Sequence, residues 1–450
     1  MKAIEATQEQ RAERRAEDAT ARSEDSASSS GAADFSAELD VAAQALEQAL
    51  EKSDFDIFFD AFRRTSLPWI GIEHRHEPGT AFRRTAEVVQ RLGSISPALA
   101  LAVENHFYPI AAIATLPTSE DDVLDERRTK LVDSVRRNRW LVANSNSRVH
   151  GDRIAQTGTV VKPVGGRYRI AGRAAYMSLA TASDLIVFVT FFETGEPAIF
   201  FCPSKDNPRL EIGPLLFPDA MQDSDTRRIT YHDLELTEDN LLASARDGSD
   251  MLGILHFEMI WHQSLLAALS LGTAARAIEE GRLFLRTVKQ GDGTPLARLD
   301  GMVVDMGRQV LRYRAACGAL ELAAKAVTDL CAQPLTPHAL LDAFEIACAA
   351  KYAASGCAED IVGVVRRIIG ARTFAGGHPM ERLSREVLFA PLGGDVNAYI
   401  ERRAGERVLG ESSFLSTTPP PSRSRSKVLA NIQTLARARK ATLKKKDAAS

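Results

Sequence analysis

The sequence predicts an α+β protein in which a small β domain follows one helical region and precedes another, and three changes of period predict it. Apolar residues recur at helical spacing from about Asp40 to Asn138, as in Ala42, Leu46, Ala49 and Leu50, then Val88, Leu92 and the run Ala98 to Val103. From about Trp140 to Asp239 the pattern shortens to β-rich runs separated by turn residues. From Met251 to about Gly410 long helical patterns return, richer in alanine than the first set and so suited to close helix packing.

Taken in order, residues 1–36 are Ala, Ser, Glu, Arg and Asp with almost no large apolar side chain, a composition that cannot offset its ordering entropy and reads as a disordered tail. Its acids argue against a mitochondrial presequence, and no apolar segment suggests secretion. Residues 37–138 form the N-terminal helical domain, with Pro68 and Pro117 at boundaries between helices. Residues 139–243 hold the strands Thr159–Val161, Tyr168–Ile170, Leu185–Val189, Ala198–Phe201 and Arg228–Tyr231, which predict a compact antiparallel barrel or sandwich. Residues 244–411 form the second helical domain, broken at Gly291–Pro295, Pro334–Pro337 and Gly376–Pro379. Residues 412–450 are a basic, solvated tail.

Composition narrows the function classes. The chain has 450 residues, 45% apolar and 26% charged, with a net charge of -3, so nothing draws it as a whole to nucleic acid or anionic lipid. No stretch is apolar for the length a bilayer needs. The five cysteines are an odd set without a Cys-x-x-Cys pair, which suggests neither a disulfide framework nor a thiolate zinc site and fits a reducing, cytoplasmic setting. Small molecules are the expected partners.

Several segments carry a more specific signal. Gly166–Ser178 contains a Gly-Arg turn followed by Tyr176-Met177-Ser178, and Ile229–Leu242 joins a strand, an acidic turn and Asn240-Leu241-Leu242. Ala268–Ala277 is a helix with Gly272 inside, Phe284–Lys289 includes Arg286, and Ile368–Thr373 includes Gly370. Pro379-Met380-Glu381-Arg382-Leu383-Ser384-Arg385-Glu386 has the form Pro-x-Glu-Arg-x-x-Arg-acid. In these motifs and their order, about residues 40 to 410 resemble the acyl-CoA dehydrogenase superfamily.

The resemblance implies an N-terminal helical domain, a central small antiparallel β-barrel domain and a C-terminal four-helix bundle, assembled as a homodimer or homotetramer around FAD. It implies that Tyr176 stands for the aromatic residue beside the flavin and Ser178 for the hydroxyl residue at its N5 edge. Arg286 would meet the diphosphate of a neighbouring subunit's FAD, where a guanidinium gives bidentate donors, and Gly370 would allow close backbone approach to the cofactor. Each has a plainer alternative: a sheet-edge hydroxyl, a barrel-core aromatic, a cation in the last turn of a helix, a helix-packing glycine. Glu381 and Arg385 likewise make an ordinary exposed i,i+4 pair.

The family's reaction needs a carboxylate base over the carbon alpha to a thioester. Counting from Pro379 puts that glutamate at Gly394, which cannot abstract a proton, with Asp395 adjacent. Some members carry the glutamate on the first helix of the C-terminal bundle, and that position falls near His262. Glu258 lies one turn earlier, so acid and imidazole could face one pocket and tune each other, although a solvated pair on a helix has the same spacing. His106 is a second possible pocket residue, while His74 and His76 read as a polar loop. Where the dehydrogenases show Thr-Glu-Pro-Gly-x-Gly-Ser, this chain has Val142-Ala143-Asn144-Ser145-Asn146-Ser147-Arg148, a departure that weakens coenzyme A and tight FAD binding in the family manner. The expected activity is α,β-dehydrogenation of an acyl thioester on coenzyme A or a carrier protein. The alternative is a hydroxylase or N-oxygenase that receives FMNH2 or FADH2 as cosubstrate and needs donors such as Ser178 or His262 more than a carboxylate. A flavin-binding scaffold without catalysis is a third.

Overall fold

The computed structural model describes residues 33–117, 122–145, 158–333 and 335–410. The two expected tails lie outside these, except that residues 33–36 are already helical. The chain divides into two compact units, Met1–Leu67 and Pro68–Ser450.

In the first unit, helix α1 (residues 33–52) buries Leu39, Ala42, Leu46 and Ala49 at the expected spacing. Helix α2 (Asp56–Arg64) buries Phe58, Phe59 and Phe62, with the Phe58 and Phe62 rings stacked at 5.2 Å. The Glu38 carboxylate ties the two helices by accepting the Ser66 N–H at 3.0 Å.

The second unit begins with α3 (Ile70–Glu73), α4 (Pro78–Gly93), α5 (Pro97–Thr115) and α6 (Asp122–Asn138). Pro97 opens α5 where its missing N–H costs nothing, and Ser96 caps it by accepting the Leu99 N–H at 3.2 Å. Eighteen of its nineteen residues, all but Ala114, are buried, so α5 runs through the interior and has no solvent face.

Eight strands follow among the described residues: β1 (Val142–Asn144), β2 (Gly158–Val164), β3 (Arg167–Met177), β4 (Leu185–Phe192), β5 (Pro197–Pro203), β6 (Leu210–Leu215), β7 (Arg227–Leu236) and β8 (Leu241–Ser244). Their order is β6-β7-β3-β2-β4-β5-β8, with β1 paired to β4. The expectation of a closed, antiparallel barrel is corrected. Among the described residues the sheet is open, because β6 pairs only with β7 and β8 only with β5, and it is mixed, because β1 and β2 both run parallel to β4 along one edge. Strand β4 is buried at all eight positions, as a strand covered on both faces must be, whereas β3 and β7 alternate.

Helices α7 (Met251–Thr287), α8 (Asp300–Cys331) and α9 (Pro337–Ile369) form the C-terminal bundle, joined at the expected Gly and Pro breaks. In place of a fourth long helix the chain makes two short ones, α10 (Pro379–Glu386) and α11 (Asn397–Gly410), separated by a loop containing Gly393 and Gly394. Helix α7 packs against α4, α5, α8 and α9. Its crossing with α4 is close because both helices place a glycine there: a Cβ on Gly272 would lie 2.0 Å from the Gln90 carbonyl oxygen, and one on Gly93 2.8 Å from that of Leu269. Backbone cannot yield as a flexible side chain would. Gly272→Ala is therefore expected to destabilise the protein by about 3 kcal/mol or more, read as the loss in midpoint of a thermal or urea transition.

Candidate active site

A helix buried on all sides must satisfy its polar side chains internally, and α5 carries three in succession, Glu104, Asn105 and His106. The edge of β1 that no described strand covers provides the first partners. The Val142 N–H donates to His106 Nδ1 at 2.9 Å, which leaves Nε2–H to donate to the Pro68 carbonyl at 2.9 Å and sets the neutral tautomer. His106 is thus spent on structure. Two residues on, where the strand presents the same edge, the Asn144 N–H donates to Asn105 Oδ1 at 2.8 Å.

Asn144 then extends the network to α7, its amide donating to the Glu258 carboxylate. One turn along, His262 is hydrogen-bonded through Nδ1 to Glu104 Oε1 at 2.7 Å, and the Tyr108 ring lies against the imidazole with centroids 4.5 Å apart. Glu258 and His262 do face one place, as i,i+4 spacing predicts, but the solvated reading of the pair fails. Glu258 is 7% exposed, Glu104 is 0% exposed, and only the His262 side chain, at 16%, keeps an open edge. Glu104 Oε2 has no hydrogen-bond partner among the described residues.

Burial governs the protonation of this cluster. It pushes Glu258 up to about 7, against the opposing charge of His262 and the hydrogen bond from Asn144. It likewise raises Glu104, opposed by His262. For His262 burial acts downward, but the charge and hydrogen bond of Glu104, with Glu258 and Asp395 beyond, outweigh it and raise the imidazole. Glu258 therefore keeps near pH 7 a proton that a solvated carboxylate would have released.

At the position counted for the family's base, Gly394 has φ +61°, and a Cβ there would lie 2.8 Å from Leu266 Cδ1 and 2.9 Å from Gln263 Nε2. Glycine supplies no carboxylate, and a larger residue there would be strained at that φ and would have to push the ends of the Leu266 and Gln263 side chains aside. The loop is held from below by Lys351 of α9, fully buried, whose ammonium donates to the carbonyls of Pro391 at 3.1 Å and Asp395 at 2.9 Å and to Asn397 Oδ1 at 2.8 Å. The Asp395 carboxylate is paired with Arg403, as a loop residue rather than a base would be.

The remaining expected residues fall in two other places. Ser178 follows β3 and is buried, its hydroxyl 2.8 Å from that of Thr226, which in turn lies 2.7 Å from the Ser224 hydroxyl. Tyr176 is 53% exposed and stacks on Phe217 at 5.9 Å, so the core-aromatic reading is wrong. The segment Gln222–Ser224 packs on α5, which links these hydroxyls to the helix of Glu104. Arg286 is exposed in the last turn of α7, 24 residues beyond His262 and so about 36 Å away along the helix. Gly370 ends α9 with φ +76° and open space on its Cβ side, and the neighbouring Arg372 guanidinium lies over the Phe284 ring at 5.5 Å, close to Arg286 in sequence. Glu381 and Arg385 form the exposed pair at 2.6 Å, and His74 and His76 each contact an arginine. Asn146, Ser147 and Arg148 lie outside the described residues.

Sequence reasoning missed Glu104, Asn105, Tyr108 and Asn144. A signal existed: three consecutive polar residues inside an otherwise apolar helix have to be paired by something.

Because the Glu258 carboxyl is held above its unfolded value of 4.5, folding favours its protonated form, and that contribution is lost as pH rises from 4.5 to about 7. Glu258→Gln keeps an acceptor for Asn144 and removes the loss. The variant is expected to be more stable than the parent by on the order of 1–3 kcal/mol at pH 8, with the difference vanishing below pH 4.5, in paired thermal melts.

The comparisons with known proteins bear on the fold. Residues 264–391 match the family model described as Acyl-CoA dehydrogenase, C-terminal domain. Among solved structures, TdsC from Paenibacillus sp. A11-2 in its complex with FMN and indole superposes with a TM-score of 0.69 at 20% identity, over 85% of this chain and 98% of that one. Butyryl-CoA dehydrogenase from Megasphaera elsdenii gives 0.69 at 15% identity, over 84% and 98%. The methanesulfinate monooxygenase MsuC from Pseudomonas fluorescens gives 0.67 at 18% identity, over 86% and 97%. Comparison of the sequence with curated proteins finds no match. The chain has the acyl-CoA dehydrogenase fold, and its residues 264–391 match the model of that family's C-terminal domain.

Proposed function

We propose that this protein is a flavin-dependent monooxygenase that takes reduced flavin and oxygen and oxygenates a small organic substrate. The observation that carries the reading is Gly394: the place of the family's base carries no side chain, in a left-handed backbone conformation that favours glycine and with the ends of Leu266 and Gln263 closed against it. The likeness to TdsC and MsuC supports it.

The residues present fit a flavin. The stacked Tyr176 and Phe217 rings offer an exposed apolar wall, and Ser178 offers a hydroxyl oxygen as acceptor, its proton and those of Thr226 and Ser224 running in a chain to the Met221 carbonyl. Gly370 leaves open the space that a side chain would fill, and Arg286 is an exposed guanidinium of the kind that pairs with a diphosphate. A diphosphate favours FAD over FMN, the cofactor named for the TdsC structure. Arg286 is too far along α7 from His262 to serve the same end of one flavin, so the reading includes a homodimer or homotetramer in which a second copy supplies it.

When bound, reduced flavin supplies the electrons and the oxygen-reactive centre. Around it, His262 and Glu258 hold or move protons at near-neutral pH, and the buried faces of α5 and α7 exclude water. A second reading, dehydrogenation of an acyl thioester with Glu258 as base, is favoured by the neutral-range Glu258 carboxyl and the likeness to butyryl-CoA dehydrogenase.

Anaerobic mixing of FAD-loaded protein with a panel of acyl thioesters is expected to leave the oxidised flavin band intact, whereas reduced flavin plus oxygen yields oxygenated product from small aromatic or sulfur compounds. Bleaching by a thioester would transfer the assignment to dehydrogenation. Gly394→Glu is expected to gain no dehydrogenase activity and to lower the melting temperature. Protein that binds neither FAD nor FMN would end both readings.

A further inference from the structure

We infer that Glu104 is the positioning residue of the site: its carboxylate holds the Nδ1–H of His262 and leaves Nε2 as the nitrogen that exchanges a proton with a bound guest. This rests on the reading above only in its last step, the identity of the guest.

A carboxylate at a fully buried position of an interior helix costs several kcal/mol unless it is paired. Glu104 is paired through one oxygen only, at 2.7 Å to His262, while Oε2 finds no partner among the described residues. Packing alone would favour an apolar side chain there, as at its neighbours Leu101, Val103 and Phe107. The carboxylate is instead placed where it acts on one ring nitrogen. The other histidine of the interior shows the contrast: His106 uses both nitrogens on backbone groups and has no proton to exchange. His262 uses one, and no hydrogen bond joins Nε2 to another described residue.

Every charged group facing the imidazole acts in the same direction. Glu104 comes from α5, Glu258 from α7 and Asp395 from the loop before α11, the last already paired with Arg403. Tyr108, on α5, packs on the ring and is held neutral, its hydroxyl raised by burial and by both glutamates. Proton uptake at Nε2 makes an imidazolium whose charge Glu104 balances, and return of the proton restores the neutral ring. No other reactant is needed.

The test uses the full chain labelled with 15N in its histidine rings, with His262 assigned by difference from His262→Gln. The parent protein is expected to show the Nδ1–H tautomer at high pH, and Glu104→Gln to lower the His262 titration midpoint by about one pH unit or more. An Nε2–H tautomer in the parent, or an unchanged midpoint in the variant, overturns the inference. If Glu104→Gln does not fold, the tautomer of the parent decides alone. These readouts need neither flavin nor substrate, so they stand or fall apart from the proposed reaction. Where turnover is found, Glu104→Gln is expected to lower kcat about tenfold or more with KM little changed, and Glu104→Asp to recover part of it.

Discussion

Helix α5 has no surface, and the rest of the site depends on that constraint. A polar side chain on such a helix must be paired within the protein, and the three in succession reach out in three directions. His106 and Asn105 terminate the open edge of β1, while Glu104 reaches α7 through His262. Asn144 closes the circuit from β1 to Glu258. The sheet, the interior helix and the long helix of the bundle are therefore registered to one another by directional bonds as well as by apolar contact. Apolar packing alone would tolerate small slips that these bonds do not.

The same burial that makes the network rigid makes it chemically unusual. Burial holds the Glu104 and Glu258 carboxyls above their ordinary values, Glu258 at about 7, and the facing carboxylates raise the His262 imidazole. Meanwhile the loop at Gly394 has moved in the opposite direction. It carries a left-handed glycine closed against Gln263 and Leu266 and is clasped by the buried Lys351, whose ammonium burial lowers to about 8. Proton-handling groups are thus concentrated on α5 and α7, and the loop contributes shape.

That redistribution fits a fold used for more than one reaction. The solved structures this chain resembles include a butyryl-CoA dehydrogenase and monooxygenases, all at 20% identity or less, so the shared feature is the architecture and the chemistry is set by side chains grafted onto it. In this chain the architecture carries open sheet edges at β6 and β8 and two short last helices, α10 and α11, among the described residues.

Much was legible in the sequence because it depends on local chemistry. Helical and strand periods located α4, α5, β2 to β5, β7 and the three long bundle helices, since burial of one face repeats along the chain. Gly and Pro clusters marked the breaks because few other residues adopt those backbone angles. The pairing of Glu258 with His262 followed from helical geometry alone, and the unsuitability of Gly394 as a base from its lack of a side chain. The strands β1, β6 and β8 were not legible: β1 and β8 are three and four residues long, and β6 is half-exposed and interrupted by a glycine and a proline. Nor was the open edge of the sheet, which depends on how distant strands pair. Whether Glu258 and His262 were solvated or buried, that both nitrogens of His106 were spent on backbone groups, and that Glu104, 158 residues earlier in the chain, stands against His262 were decided only by tertiary structure. A side chain's partner and dielectric surroundings are set by segments remote in sequence, and no local pattern records them.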